Sequence, residues 1–377
     1  MKVTKIILSR CDSPFKFRFH SSHAIRHQSE SIIVILKFNN GISGCGESAP
    51  RIYVTGESSA TVVQIIQHYF AKILFDTEVN SVKDIEGILH ALEEECFYKN
   101  ITAYNSALGA IDVALLDAFG KSQGKVLHEF LYPIVKQSIS WSLSIPLLPL
   151  AKIKEFYYKY KLLEYESVKV LLSEGESDNI KRVHLIRSLF GDRVKIRIEA
   201  NGKWSVEQAL SHIEGLKRFN ISGVEQPVAA GDIEGLQEIR RRTGIPVIVD
   251  ESLCNLSDAK KLIEAKACDI INIKISKCGG LLKSKEIRDF AESKNIPCQV
   301  GAHVGETDIL DKAGRYFAMT TRNLFCFEGF SYLLFEDSKE EDFRKRSSGK
   351  DTSLNSGLGV DLAKQKLKLL CSIEADQ

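Results

Sequence analysis

"VKIRIEANGKWSVEQALSHIEGLKRFNISGVEQP", Val194 to Pro227, decides the fold. "VKIRIEAN" and "ISGVEQP" are short apolar runs that read as buried strands. Between them "SVEQALSHIEGLKRF" is amphipathic, and Ser205 and Gln208 stand in capping-box spacing at its start. The unit recurs from about Ser138 onward in "ISWSLSI", "SVKVLL", "PVIVDES", "DIINIKIS", "IPCQVGAH" and "NLFCFEGF". The eight expected strand ends are Ser144, Leu171, Glu199, Glu225, Asp250, Lys274, Ala302 and Glu328, between 24 and 28 residues apart. Eight strands at a steady period joined by helices predict a closed (β/α) barrel. A doubly wound sheet is the alternative, and eight regular units favour closure.

Upstream the pattern differs. "KVTKIILS", "FKFRF" and "SIIVILKF" are strand-like, and "NNG" at Asn39–Gly41 is a hairpin signal leading into the glycine-rich "GISGCGES". Ala103–Gly120 places Ala107, Ile111, Ala114, Leu115 and Phe119 at helical spacing, so this region is α+β. The chain of 377 residues exceeds one ordinary core, and 44% apolar with 27% charged residues describes a globular protein. A net charge of +2 gives no electrostatic case for nucleic acid or a membrane surface. The N-terminal apolar run "IIL" is too short for a signal-peptide core, and no stretch approaches the ~20 apolar residues of a membrane span. Nine cysteines, scattered without paired spacing, read as reduced packing residues in a cytoplasmic protein.

In such barrels the active site lies at the C-terminal strand ends. Three successive strands finish in Glu199, Glu225 and Asp250, and period-2 alternation groups Arg197, Glu199 and Asn201 on one face. Each acid alone could equally cap a loop or pair with a lysine. Three converging carboxylates cannot all stay ionised without a cation, and such oxygen ligands suit Mg²⁺. On the sixth strand Asn272, Lys274 and Ser276 share a face, so Lys274 points into the barrel mouth across from Lys169 on the second strand. Lys277 has the opposite parity and reads as a loop residue. A buried lysine near a divalent cation has its pKa lowered and can serve as a general base, although Lys274 could also be a plain counter-ion to the acids. Metal plus lysine points to removal of a proton next to a carboxylate, with the enolate stabilised electrostatically.

Over nearly its whole length the chain resembles the enolase superfamily, in particular the muconate lactonizing enzyme and mandelate racemase type (muconate cycloisomerase-like subgroup). The resemblance is carried by "GISGCGESAP", "SALGAIDVALLDAFGK", "IRIEANGKWS", "VEQPV", "VIVDESL", "NIKISKCGG" and "SGLGV", in the family's order. It implies an α/β fold, a modified TIM barrel (β/α)7β with an α+β capping domain built from the N-terminal region and the C-terminal tail. The expected division is 1–130 for the cap, 131–330 for the barrel and 331–377 for the segment that returns to the cap. Loops at Phe19–His27 and Pro50–Gly56, the latter with Tyr53, would shape the pocket. The resemblance also implies one Mg²⁺ per subunit (Mn²⁺ as alternative) on Glu199, Glu225 and Asp250, Lys274 as base, and a homo-oligomer acting on a small carboxylate. Glu251, Asn201, Arg197, His303, Glu306 and Glu328 complete the candidate substrate-side set.

Two departures bear on the chemistry. The subgroup's Lys-x-Lys on strand two reads Lys169-x-Leu171 here, so the second base is missing. Its usual Asp-Ala-Asn reads Glu199-Ala-Asn, which moves the carboxylate by about one C–C bond. On strand eight Cys326 and Glu328 stand where the dipeptide epimerases of the subgroup carry Asp-x-Asp. The charged stretch Glu336–Lys350 reads as a surface loop. Together these features predict a Mg²⁺-dependent lyase, dehydratase or cycloisomerase with Lys274 as its one base. A racemase or epimerase, with Lys169 or His303 as opposite-face base, is the second expectation. A barrel that binds a small acid without turnover is the third.

Overall fold

Alternating apolar residues make the first part of the chain an antiparallel sheet, because one face of each strand has a core to meet. The computed structural model describes residues 1–163, 165–329, 331–338 and 356–375. Its first strands are β1 (Val3–Cys11), β2 (Pro14–His20), β3 (Ile25–Gln28), β4 (Ser31–Phe38) and β5 (Ser43–Ser48). The helices α1 (Ile52–Thr55), α2 (Ser59–Ile65), α3 (Ala71–Asp76), α4 (Val82–Tyr98) and α5 (Asn105–Gln123) follow. The hairpin expected at "NNG" joins β4 to β5, with the Gly41 N–H donating to Phe38 O at 3.0 Å.

The glycines of "SGCGES" let α5 lie directly on β5. A Cβ at Gly46 would stand 1.9 Å from Ala110 O, and one at Gly44 would stand 2.0 Å from Ala114 O. With no side chain in the way, α5 is buried almost all round from Ser106 to Gly120.

The barrel then runs as β6 (Ser142–Ile145), α6 (Leu150–Tyr160), β7 (Ser167–Leu171), α7 (Glu176–Phe190), β8 (Lys195–Glu199), α8 (Val206–Lys217) and β9 (Ile221–Glu225). It continues with α9 (Ile233–Thr243), β10 (Val247–Val249), α10 (Leu256–Glu264), β11 (Ile270–Ile273), α11 (Leu281–Ser293), β12 (Cys298–Val300), α12 (Asp308–Met319) and β13 (Leu324–Phe327). The eight strands are parallel and neighbour one another in chain order, and a bridge between Trp141 and Phe327 closes the seam between first and last. Each observed strand ends within two residues of the end expected from the period. Val168, Val170, Ile196, Ile198, Ile271 and Ile273 face the helices and are fully buried, which makes the barrel wall the centre of the core.

The last strand, β14 (Leu367–Glu374), pairs antiparallel with β1, so the sheet order is β14-β1-β4-β5. The chain's end therefore completes the N-terminal sheet, as expected of "SGLGVDLAKQKLKLL". Asp117 of α5 anchors the approach by accepting from Leu358 N at 2.8 Å and from Cys45 N at 2.9 Å. Of the stretch expected as a charged surface loop, residues 339–350 lie outside the described residues.

Three buried carboxylates sit at helix N-termini, where unpaired N–H groups favour an anion; Glu47 and Asp112 fasten the cap to the barrel, and Glu57 braces the cap itself. Glu47 accepts from Thr307 N at 2.8 Å and Leu310 N at 3.2 Å, at the start of α12. Asp112 accepts from Leu281 N, at the start of α11. Glu57 accepts from Ser106 N and Ala107 N at 2.8 and 3.0 Å, at the start of α5.

Candidate active site

The C-terminal strand ends and two cap loops enclose a pocket of about 90 Å³. Lys169, Leu171, Glu199, Asn201, Asp250, Glu251, Lys274, His303 and Glu328 line it from the barrel, and His23, Arg51 and Tyr53 line it from the cap. The loops are held down by specific contacts. Ser22 Oγ donates to Leu172 O at 3.2 Å, and the Arg51 guanidinium donates to Val304 O at 2.6 Å. The His23 ring stacks on Tyr53 with centroids 4.4 Å apart, and its Nε2 stands 3.7 Å from Glu251 Oε1.

Oxygen atoms of Glu199, Asp250 and Glu251 all lie within 4.8 Å of one another. Asn201 holds two of these acids in register from a left-handed backbone (φ 51°), a conformation asparagine tolerates. Its Nδ2 donates to Glu199 Oε1 at 3.0 Å and to Glu251 Oε1 at 3.3 Å. Glu251 Oε2 and Asn201 Oδ1 are buried with no hydrogen-bond partner among the described residues. Unpaired buried oxygens of this type, beside further carboxylates, fit a hard divalent cation such as Mg²⁺.

Glu225 sits deeper. Its oxygens accept from Asn272 Nδ2 at 2.8 Å and Gln299 Nε2 at 3.1 Å, and Lys169 Nζ lies 3.3 Å away. Lys169 also meets Glu199 at 2.9 Å and Glu328 at 3.0 Å, so its ammonium is enclosed by three carboxylates from three strands. Burial works against that charge, yet Glu199, Glu225 and Glu328 hold its pKa well above the usual range. Glu199 is itself pushed up by burial and by Glu225, as crowding of the acids requires. Beneath the pocket Arg197, fully buried, donates to Glu328 at 2.5 Å, Gln299 at 2.7 Å, Cys326 Sγ at 2.6 Å and Ser142 Oγ at 3.0 Å.

Lys274 lines the pocket with its Nζ 2.5 Å from Asp250. Burial is the largest influence and lowers its pKa, but Asp250, Glu251 and Glu225 together outweigh burial and the balance is upward, opposite to the lowering expected. A base at this position needs the Asp250 charge engaged elsewhere. Lys277 corrects the expectation of a loop residue. It is fully buried, and its Nζ donates to Asp250 Oδ1 at 2.7 Å and to Asn272 O at 2.9 Å. The parity argument failed because β11 ends at Ile273 and the chain coils through Lys274–Gly280. Ser276, given the pocket face by the same argument, instead donates to or accepts from Ser106 Oγ at 2.7 Å and accepts from Ala49 N, both on the cap.

His303 lines the pocket, whereas Glu306 stands behind it and accepts from the His303 N–H at 2.6 Å. Burial pushes the Glu306 carboxyl up to about 8. His23 and Arg51 escaped the sequence reading. Their only signal there was membership of loops that the resemblance placed over the pocket.

Comparison with known proteins shows the family. Residues 4–131 match the mandelate racemase / muconate lactonizing enzyme N-terminal domain, and residues 153–366 match the enolase C-terminal domain-like family. The D-Ala-D/L-Ala epimerase of Cytophaga hutchinsonii is 29% identical over 336 residues, covering 89% of each chain. Among solved structures, the N-succinyl Arg/Lys racemase of Bacillus cereus superposes with a TM-score of 0.85 at 25% identity, covering 98% of this chain and 96% of that one. The dipeptide epimerase of Cytophaga hutchinsonii, complexed with Mg and the dipeptide D-Ala-L-Val, gives 0.82 at 29% identity, covering 90% and 89%. With both halves matched, the chain belongs to the mandelate racemase/muconate lactonizing enzyme type of the enolase superfamily.

Proposed function

We propose that the protein is a Mg²⁺-dependent enzyme that takes the proton α to a substrate carboxylate with Lys274, from one face, and completes an elimination or a cycloisomerisation. The observation that carries this reading is the asymmetry of the pocket walls. Lys274 lines one wall from β11, while β7, across the barrel, presents Leu171 at the pocket. The amine next along β7, Lys169, is held by three carboxylates and serves as fixed positive charge. Glu199 and Asp250 would hold the ion, with Glu225 as the third acid given by the resemblance and Glu251 within reach of the first two. When bound, the ion would supply positive charge beside the substrate carboxylate. Lys274 takes and stores the proton, Lys169 and Arg197 balance the inner acids, and the His23–Tyr53 lid excludes water.

A racemase or epimerase is the second reading, supported by relatives that bear those names. Lys169 would then have to leave its acids to act on the opposite face. His303 does not supply that base, because β12 neighbours β11 and places it on the Lys274 side. The test is solvent-deuterium incorporation at Cα of carboxylate substrates by the Mg²⁺-loaded protein and its Lys274→Met variant. A general base contributes roughly 10²–10⁴-fold, so incorporation should fall by about that factor while calorimetric Mg²⁺ affinity stays within a few-fold. Unchanged incorporation in the variant would remove Lys274 from the mechanism.

A further inference from the structure

Of the large apolar side chains among the described residues, the two most exposed stand together at the end of α4. Phe97 is 79% exposed and Tyr98 73%, and their rings meet edge to face with centroids 5.9 Å apart. On one side α4 turns Ile85, Ile88, Leu89, Leu92 and Cys96 into the core of the cap. Its other side carries Lys83, Gly87, His90, Glu94 and Phe97, all exposed. Their spacing of four, three, four and three residues sets them on one stripe, the pattern with which two helices pack along a seam.

Gly87 is the least expected member of the stripe, because a glycine inside a helix is destabilising. Its φ lies outside the left-handed range, and a Cβ there would meet nothing within 4 Å. Neither the helix nor packing within this chain therefore asks for glycine. The missing side chain does leave room for another surface to come close to the backbone. The charges say which surface fits. Lys83 lies near the start of the stripe and Glu94 near its end, so the stripe is complementary to itself when reversed. Glu94 stands 3.6 Å from His90 of its own helix and still keeps more than half of its side chain in solvent.

We infer that this stripe is the contact face of a homodimer, in which two copies of α4 pack antiparallel about a two-fold axis passing between Gly87 and His90. A two-fold interface must match itself, residue i meeting j wherever j meets i, and this register does so. Lys83 of each protomer faces the partner's Glu94, and His90 lies over the partner's Gly87, where no side chain intervenes. Phe97 reaches the chain just before the partner's helix. Centring the pair on His90 instead would set Glu86 against Glu94, a like-charge contact that disfavours that register. The family resemblance carries an oligomer as an expectation and names no face. The dimer face is independent of the chemistry proposed for the pocket.

The experiment is sedimentation equilibrium of the full chain at low salt, where exposed charges act most strongly. The wild type should associate as dimers or as assemblies of dimers. Lys83→Glu and Glu94→Lys, each alone, set like charges against each other twice and should weaken association at least ~10-fold. Mixed in equal amounts, the two variants should associate again, because every such contact then joins a lysine to a glutamate. The double variant Lys83→Glu/Glu94→Lys keeps the wild-type net charge and should associate as the wild type does. Gly87→Leu should block association while raising the thermal midpoint, since leucine favours the helix, and loss of the fold could not then explain the result. A wild type that stays monomeric at every concentration would overturn the inference. So would single variants that associate like the wild type, or a mixture that restores nothing.

Discussion

At the scale of single residues, the proposed one-face chemistry turns on Leu171. It shares a strand face with Lys169, and its apolar side chain meets the pocket across the barrel from Lys274. Replacing it supplies a direct check. Leu171→Lys places an amine opposite Lys274 and should let the protein exchange the α-proton of the enantiomer that the wild type leaves untouched, gaining racemisation. A variant that folds, binds Mg²⁺ and still exchanges one enantiomer alone would show that an amine at residue 171 cannot reach the second face. Leu171 was legible from the sequence because strand parity extends to the end of β7. Lys277 was not, because β11 stops at Ile273 and the chain turns back toward Asp250. Period-2 reasoning holds only while the strand does.

Elements meet one another through carboxylates at helix N-termini. Burial pushes Glu57 up to about 7 even though it accepts from the first N–H groups of α5. The unfolded chain loses that proton near the ordinary value of about 4.3. Between these limits the folded state holds a proton the unfolded state has lost. The stabilisation is therefore full below about pH 4 and is lost as pH rises through about 7. Burial likewise pushes Asp112, at the start of α11, up to about 7, which adds in the same direction. Glu57→Gln removes one titration, so urea denaturation at pH 5, 6, 7 and 8 should show a flatter decline than in the wild type. Parallel profiles would mean that Glu57 is ionised in the fold throughout. The capping box of α8 could be read from Ser205 and Gln208 alone, since its bonds span three residues. The cap that Glu47 makes on α12 joins residues 260 apart, and no local pattern announces it.

Over the whole molecule, the regular period of strand ends foretold eight parallel strands, because each strand–helix unit must cross the same barrel length. Closure through Trp141 and Phe327, and the return of β14 to β1, place the cap loops above the mouth. Which side chains converge there was partly legible: Lys169 and Glu199 follow from strand parity, and Asp250 and Lys274 stand one residue past the ends of β10 and β11, where the expected strand ends placed them. Tyr53 was read as a pocket-loop residue, but its stacking on His23 and the partners that occupy Glu225 and Glu328 depend on packing between distant segments and were not legible. The account's central claim is that proton abstraction occurs on one face only. It is tested most directly by incubating the Mg²⁺-loaded protein in D₂O with each enantiomer of its preferred substrate separately. Deuterium should enter the α-position of one enantiomer with its configuration retained or with conversion to product, while the other stays unlabelled. Labelling of both enantiomers with loss of optical rotation would contradict it.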